Sequence, residues 1–241
     1  MRLFGRWAAR RLRAGPTLLV GDVSEERMLD AVRRFDPSAR ALEGKIRLRG
    51  VDLEGPIALS AELAEKASLP AGWPAAYIAV GFLPRSEPRA LLLVKGLQHA
   101  VDGQSHAAGP AVPEEEWIDP VVSAFFGERL PEERVRDTVA PFVDGLTVER
   151  DPDGDYYLQG ESPISLACTR VVYDPDLRPP RLDGLQAMEC ALFVEDKAPI
   201  SAELLHLAGR IALALAEACG GTALDVHGFE VREPEDVHLT L

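Results

Sequence analysis

Met28, Val32 and Phe35 stand at i, i+4 and i+7 and mark one apolar stripe of an amphipathic helix. Val135, Val139 and Phe142 repeat that stripe 107 residues later. The surrounding stretches align as well, Ser24-Glu25-Glu26-Arg27 with Pro131-Glu132-Glu133-Arg134. Downstream, Gly44-Lys45-Ile46-Arg47-Leu48-Arg49-Gly50 answers Gly154-Asp155-Tyr156-Tyr157-Leu158-Gln159-Gly160. Pro56-Ile57-Ala58-Leu59-Ser60 answers Pro163-Ile164-Ser165-Leu166-Ala167. These segments alternate or run apolar over strand lengths. The apolar run Tyr77–Phe82 then parallels Cys190–Val194.

A helix follows each of these runs. In the second half Ser201 supplies an N-cap, Glu203 favours the positive helix start, and Gly220-Gly221 ends the helix. Leu204, Ala208, Ile211 and Leu215 form its inner stripe. In the first half Ala90, Leu93, Leu97 and Val101 form the matching stripe, stopped by Asp102-Gly103. Last strands are expected near residues 104–108 and 222–226.

The pattern predicts an α+β protein made of two degenerate copies of a β-α-β-β-β-α-β unit, with antiparallel or mixed sheets and helices packed on one face. The expected boundaries are an arm over residues 1–15, a first unit over 16–109, a linker over 110–121 and a second unit over 122–241. Pro110, Pro113 and Glu114-Glu115-Glu116-Trp117 mark the linker. Within the final unit, Ser165-Leu166-Ala167, a Pro-containing loop, a strand, a long helix and Gly220-Gly221-Thr222-Ala223-Leu224-Asp225 resemble the C-terminal domain of the division protein ZipA. The resemblance implies a sheet-and-helix unit. No binding residue is carried over from it, and the chain is not assigned to that family.

Charge divides the chain more sharply than fold does. The net charge is −13 over 241 residues. Residues 1–15 carry +5, residues 16–109 carry −1, the linker carries −4 and residues 122–241 carry −13. A surface of that sign opposes phosphate-backbone binding, so no nucleic-acid partner is expected. Cys168, Cys190 and Cys219 are odd in number and at least 22 residues apart, which fits neither a disulfide scaffold nor a CxxC pair. That usage, together with the lack of an apolar stretch of membrane-spanning length or of a signal peptide, predicts a cytoplasmic protein.

Nothing in the motifs supplies catalytic chemistry. There is no Gly-x-Ser-x-Gly, no phosphate loop and no His-Glu-x-x-His, and the five histidines share no metal-ligand spacing. No catalytic residue, cofactor or metal is expected. Asp151-Pro152-Asp153-Gly154-Asp155 begins like a calcium loop, but position 6 lacks the glycine and position 12 is Ser162 instead of glutamate. A hairpin turn joining 146–150 to 155–159 accounts for the same residues.

The arm is a basic amphipathic helix. At 100° per residue, Arg2, Arg6, Arg10 and Arg13 fall within an arc of about 80°. Leu3, Phe4, Trp7, Ala8 and Leu12 lie opposite, and only Arg11 intrudes. Such a helix docks on an acidic protein surface, its own or that of a second copy, or more weakly on an anionic membrane.

These observations predict a non-enzymatic protein-binding module of the immunity, inhibitor or adaptor type, whose acidic second unit meets a basic partner. The contact residues expected are Arg2, Arg6, Trp7, Arg10, Arg13, Glu114, Glu115, Glu116, Trp117, Asp151, Asp153 and Asp155. The arm also offers a route to homo-oligomerisation. An enzyme or small-molecule binder with a site between the units, lined by Trp73, Trp117, Tyr156 and Tyr157, is one alternative. A membrane-associated scaffold that uses the arm is the other.

Overall fold

A computed structural model describes residues 2–83, 86–106, 120–171, 178–194 and 200–238, the side chains of residues 2–6 excepted. The chain divides into two compact units, Met1–Glu114 with Asp174–Pro180, and Glu115–Tyr173 with Arg181–Leu241. It is an α+β protein with two six-stranded antiparallel sheets and six α-helices among the described residues.

The first unit runs α1 (Arg2–Ala14), β1 (Thr17–Val20), α2 (Glu25–Phe35), β2 (Arg40–Leu42), β3 (Lys45–Leu48), β4 (Val51–Ala58), α3 (Ala61–Ala67), β5 (Ala75–Gly81), α4 (Glu87–Ala100) and β6 (Gln104–His106). Its sheet order is β2-β3-β4-β5-β1-β6. Helix α2 begins where Ser24 Oγ accepts from the Arg27 amide at 3.2 Å, with Glu25 and Glu26 in the first turn. Its stripe of Met28, Ala31, Val32 and Phe35 is buried, as the periodicity predicts. The same holds for Ala90, Leu93 and Leu97 on α4.

The second unit runs β7 (Val122–Phe126), α5 (Glu132–Val139), β8 (Thr147–Arg150), β9 (Tyr156–Gln159), β10 (Ile164–Thr169), β11 (Met188–Val194), α6 (Ala202–Cys219) and β12 (Thr222–Asp225). Its sheet order is β8-β9-β10-β11-β7-β12. Helix α6 starts at Ser201, whose Oγ accepts from Leu204 N at 3.3 Å, and ends at Gly220 in the left-handed region at φ 71°. One face of the sheet packs against α6, with Val122, Ala124, Leu166, Cys190, Leu192, Ile211 and Leu215 at the centre of the core.

Two expectations need correction. Among the described residues each unit has six strands instead of the five expected. The added strand of the first unit is β2, an edge strand of three exposed residues with no alternation to read, and that of the second is β8, the first arm of the hairpin expected over 146–159. Every pairing among the described residues is antiparallel, the first of the two arrangements expected. In the first unit the helices occupy both faces of the sheet. Leu19, Ala76 and Ile78 of β1 and β5 cluster with Ala9 and Leu12 of α1 and with Ala64 and Ala67 of α3, whereas α4 packs on β1 and β5 along their other side chains. The reason is visible in β1, where all four residues are buried, so both faces need cover.

Candidate functional site

Five acidic residues of the second unit lie around the β8–β9 hairpin. Arg150 pairs with Tyr156 in the register, and residues 151–155 close the turn. The Asp151 amide donates to the Asp155 carbonyl at 2.9 Å, and the Asp155 amide donates to Asp151 Oδ1 at 2.8 Å. Pro152 presets the second turn position, and Gly154 adopts φ 81°, which a side chain would strain. The turn reading of Asp151-Pro152-Asp153-Gly154-Asp155 is therefore what forms. Among the described residues no group of three or more His, Cys, Asp or Glu side chains is placed to hold a metal ion.

Two open hollows flank this hairpin. One of about 470 Å³ is lined by Asp153, Asp155, Thr169, Arg170 and Glu189. The other, of about 450 Å³, is lined by Glu149, Arg150, Asp151, Pro152 and Tyr157. The three aspartates singled out by sequence thus stand together and gain two further carboxylates, Glu149 and Glu189. Cations partly offset them. Arg129 donates to Asp155 Oδ1 at 3.1 Å and to the Gly154 carbonyl, and Arg150 pairs with Glu132 at the start of α5.

Glu189 is the residue that sequence reasoning missed. It sits in the apolar run Met188–Val194, where alternation turns it away from Met188 and Cys190, which face the core. Burial raises the Glu189 carboxyl above the usual glutamate range, and a hydrogen bond from Ser123 partly offsets that. The signal available in the sequence was this single charge inside a strand.

The other expected contact residues are dispersed. Arg2 and Arg6 lie on α1 with side chains outside the described residues, as do Glu114, Glu115, Glu116 and Trp117 entirely. Helix α1 is docked within its own unit, with Ala8, Ala9 and Leu12 buried and contacts made to α3. The intruding Arg11 has a use there: it pairs with Glu54 at 2.5 Å, and its guanidinium lies 4.9 Å from the Trp7 ring centroid. Arg13 donates to the Lys66 carbonyl, while Arg10 and Trp7 are exposed.

Tyr156 and Tyr157 point to opposite faces of β9. Tyr156 is buried, its hydroxyl donates to the Leu130 carbonyl at 3.3 Å, and burial pushes its phenol well above the usual range. Tyr157 stays exposed beside Glu149 and Arg150. Trp73 packs against the α1–α3 cluster and donates to Gln104 at 3.2 Å.

No protein-family model, curated protein or solved structure matches this chain. No helix of the described residues is long and apolar enough to cross a membrane.

Proposed function

We propose that the chain is a pair of diverged copies of one α+β unit, and that the second copy is a non-enzymatic protein-binding module of the immunity, inhibitor or adaptor type for a basic partner. The duplication is supported by strand order. Numbering strands within each unit gives the same sequence across both sheets, edge hairpin first, the opening strand fifth and the closing strand last. The helices between the first and second strands, and between the fifth and last, also correspond. The three free cysteines fit a cytoplasmic setting.

The observation that carries the binding reading is the gathering of Glu149, Asp151, Asp153, Asp155 and Glu189 around one hairpin of the unit that holds the chain's negative charge. Clustered carboxylates raise the local potential and steer a cationic surface into place. The test is titration of the full chain with an octa-arginine peptide at low and physiological salt. Asp151→Asn, Asp153→Asn and Asp155→Asn together keep the turn's acceptor oxygen while removing three charges. They are expected to weaken binding about tenfold at low salt, a loss that shrinks as salt rises. Asp22→Asn, Glu26→Gln and Glu43→Gln remove three exposed charges from the first unit and serve as the comparison. Equal losses from the two triples would defeat the assignment to the second unit.

A further inference from the structure

The register of β10 against β11 sets Cys168 directly opposite Cys190. Both side chains face the core, both are fully buried, and their sulfurs lie 3.0 Å apart. In the sequence 22 residues separate them, which is why no redox spacing announces the pair. Directly opposed residues on antiparallel strands have Cα atoms about 4.5–5.5 Å apart, within the span of a disulfide. Bond formation therefore needs the two sulfurs to move and leaves the strands in place. Cys219 shares the same apolar cluster but comes from the C-terminus of α6 and has no partner cysteine opposite it in a ladder.

We propose that Cys168 and Cys190 form a reversible dithiol–disulfide site across β10 and β11, oxidised by a low-molecular-weight disulfide such as oxidised glutathione. One protein thiolate attacks the glutathione disulfide, forming a mixed disulfide and releasing one glutathione. The second protein thiolate attacks the protein sulfur of that mixed disulfide, which closes the Cys168–Cys190 bond and releases the second glutathione. Two electrons pass from the protein to glutathione, and the two protein protons end on the two glutathione thiols. In the folded unit the thiol contact with Cys168 and burial hold the Cys190 thiol in its protonated form. A fully buried sulfur also has no room for a glutathione adduct. Exchange therefore runs through openings of the β10–β11 ladder, and folding protects whichever redox form is present. The closed bond links strands across the loop that joins them and restricts the unfolded chain.

The test incubates the full chain with oxidised glutathione at increasing urea, followed by alkylation and peptide mapping. The expected product is lighter by two hydrogens, joins the peptides of Cys168 and Cys190, and leaves Cys219 to be alkylated. Its formation should accelerate about tenfold or more as urea approaches the unfolding midpoint. The oxidised chain should melt about 5 °C or more above the reduced one, and dithiothreitol should abolish the difference. Cys219→Ala should behave as the parent chain in all three readouts. Products that stop at glutathione adducts, or a bond that joins Cys219 to either partner, would overturn the proposal. So would oxidation as fast in the folded chain as in urea.

Discussion

Arg129 bonds both the side chain of Asp155 and the backbone of Gly154, so one guanidinium braces the turn that carries the acidic cluster and cancels part of its charge. These two roles pull in opposite directions when the residue is removed. The pair is partly exposed, with Arg129 at 38% and Asp155 at 20%, so its loss should cost only about 0.5–1 kcal/mol. Arg129→Ala is therefore expected to lower the urea midpoint slightly while raising the association rate of octa-arginine two- to threefold at low salt. Stopped-flow binding and urea titration on the same preparation read the two effects. A fall in both would mean that the hairpin does not face the peptide.

Asp52 and Glu189 shift stability in opposite directions with pH. Asp52 accepts two bonds from Arg47, at 2.8 and 2.9 Å, and one from Lys45 at 2.6 Å. The Arg47 bonds hold its carboxyl below the usual aspartate range despite its burial. A depressed native pKa adds stability that is complete above the unfolded value of about 3.9 and is lost as pH falls through the native one. Asp52→Asn should cost the first unit about 1–2 kcal/mol at neutral pH and flatten its acid unfolding limb.

Glu189 has the reverse sign. Its carboxyl is raised by burial, so its contribution is complete below the unfolded value of about 4.3 and is lost as pH climbs through the native one. Glu189→Gln is expected to stabilise the second unit at about pH 7 and to bring no gain below about pH 4. Thermal melts of parent and variant across that range check it, and a gain that persists in acid would show that charge burial is not the cause.

Much of this architecture was legible in the sequence because the helices bury period-3.6 stripes. Met28, Val32, Val135, Val139, Leu93 and Ile211 all face inward as that period requires. The edge strand β2 was not legible, since its three residues are all exposed and set no period. The opposite-face cover of the first sheet was hidden for another reason. It joins α1 to α3 across more than 45 residues, and only the burial of all of β1 hints at it. At the candidate site, turn chemistry announced residues 151–155. Glu149 lies on the expected hairpin arm next to that turn, whereas Glu189 and Arg129 come from a separate strand and loop that only tertiary pairing unites.

Leu12 tests how far α1 is part of the first unit. Its side chain is fully buried among Leu19, Ala64, Ala67 and Ile78. Leu12→Ala should cost about 2–4 kcal/mol, seen as a lower urea midpoint for the first unit. An unchanged midpoint would mean that α1 leaves the sheet in solution.

Gly209 sets helix propensity against packing. It sits inside α6, where alanine in place of glycine normally gains about 1 kcal/mol. A Cβ at this position would lie 2.9 Å from both Cα and the carbonyl oxygen of Pro234 and 3.1 Å from a Val237 methyl. The first two contacts are backbone, fixed by a short turn in which the Val237 amide bonds back to Pro234, so α6 or the turn must shift as a body. Overpacking of that kind costs about 1–3 kcal/mol and outweighs the propensity gain. Gly209→Ala is therefore expected to destabilise the second unit by about 1 kcal/mol in urea. An exposed position such as Glu217→Ala on the same helix should stay within about 0.5 kcal/mol of the parent. A stabilised Gly209→Ala chain would show that the turn at Pro234 yields to α6 and that the close approach is not what keeps a glycine there.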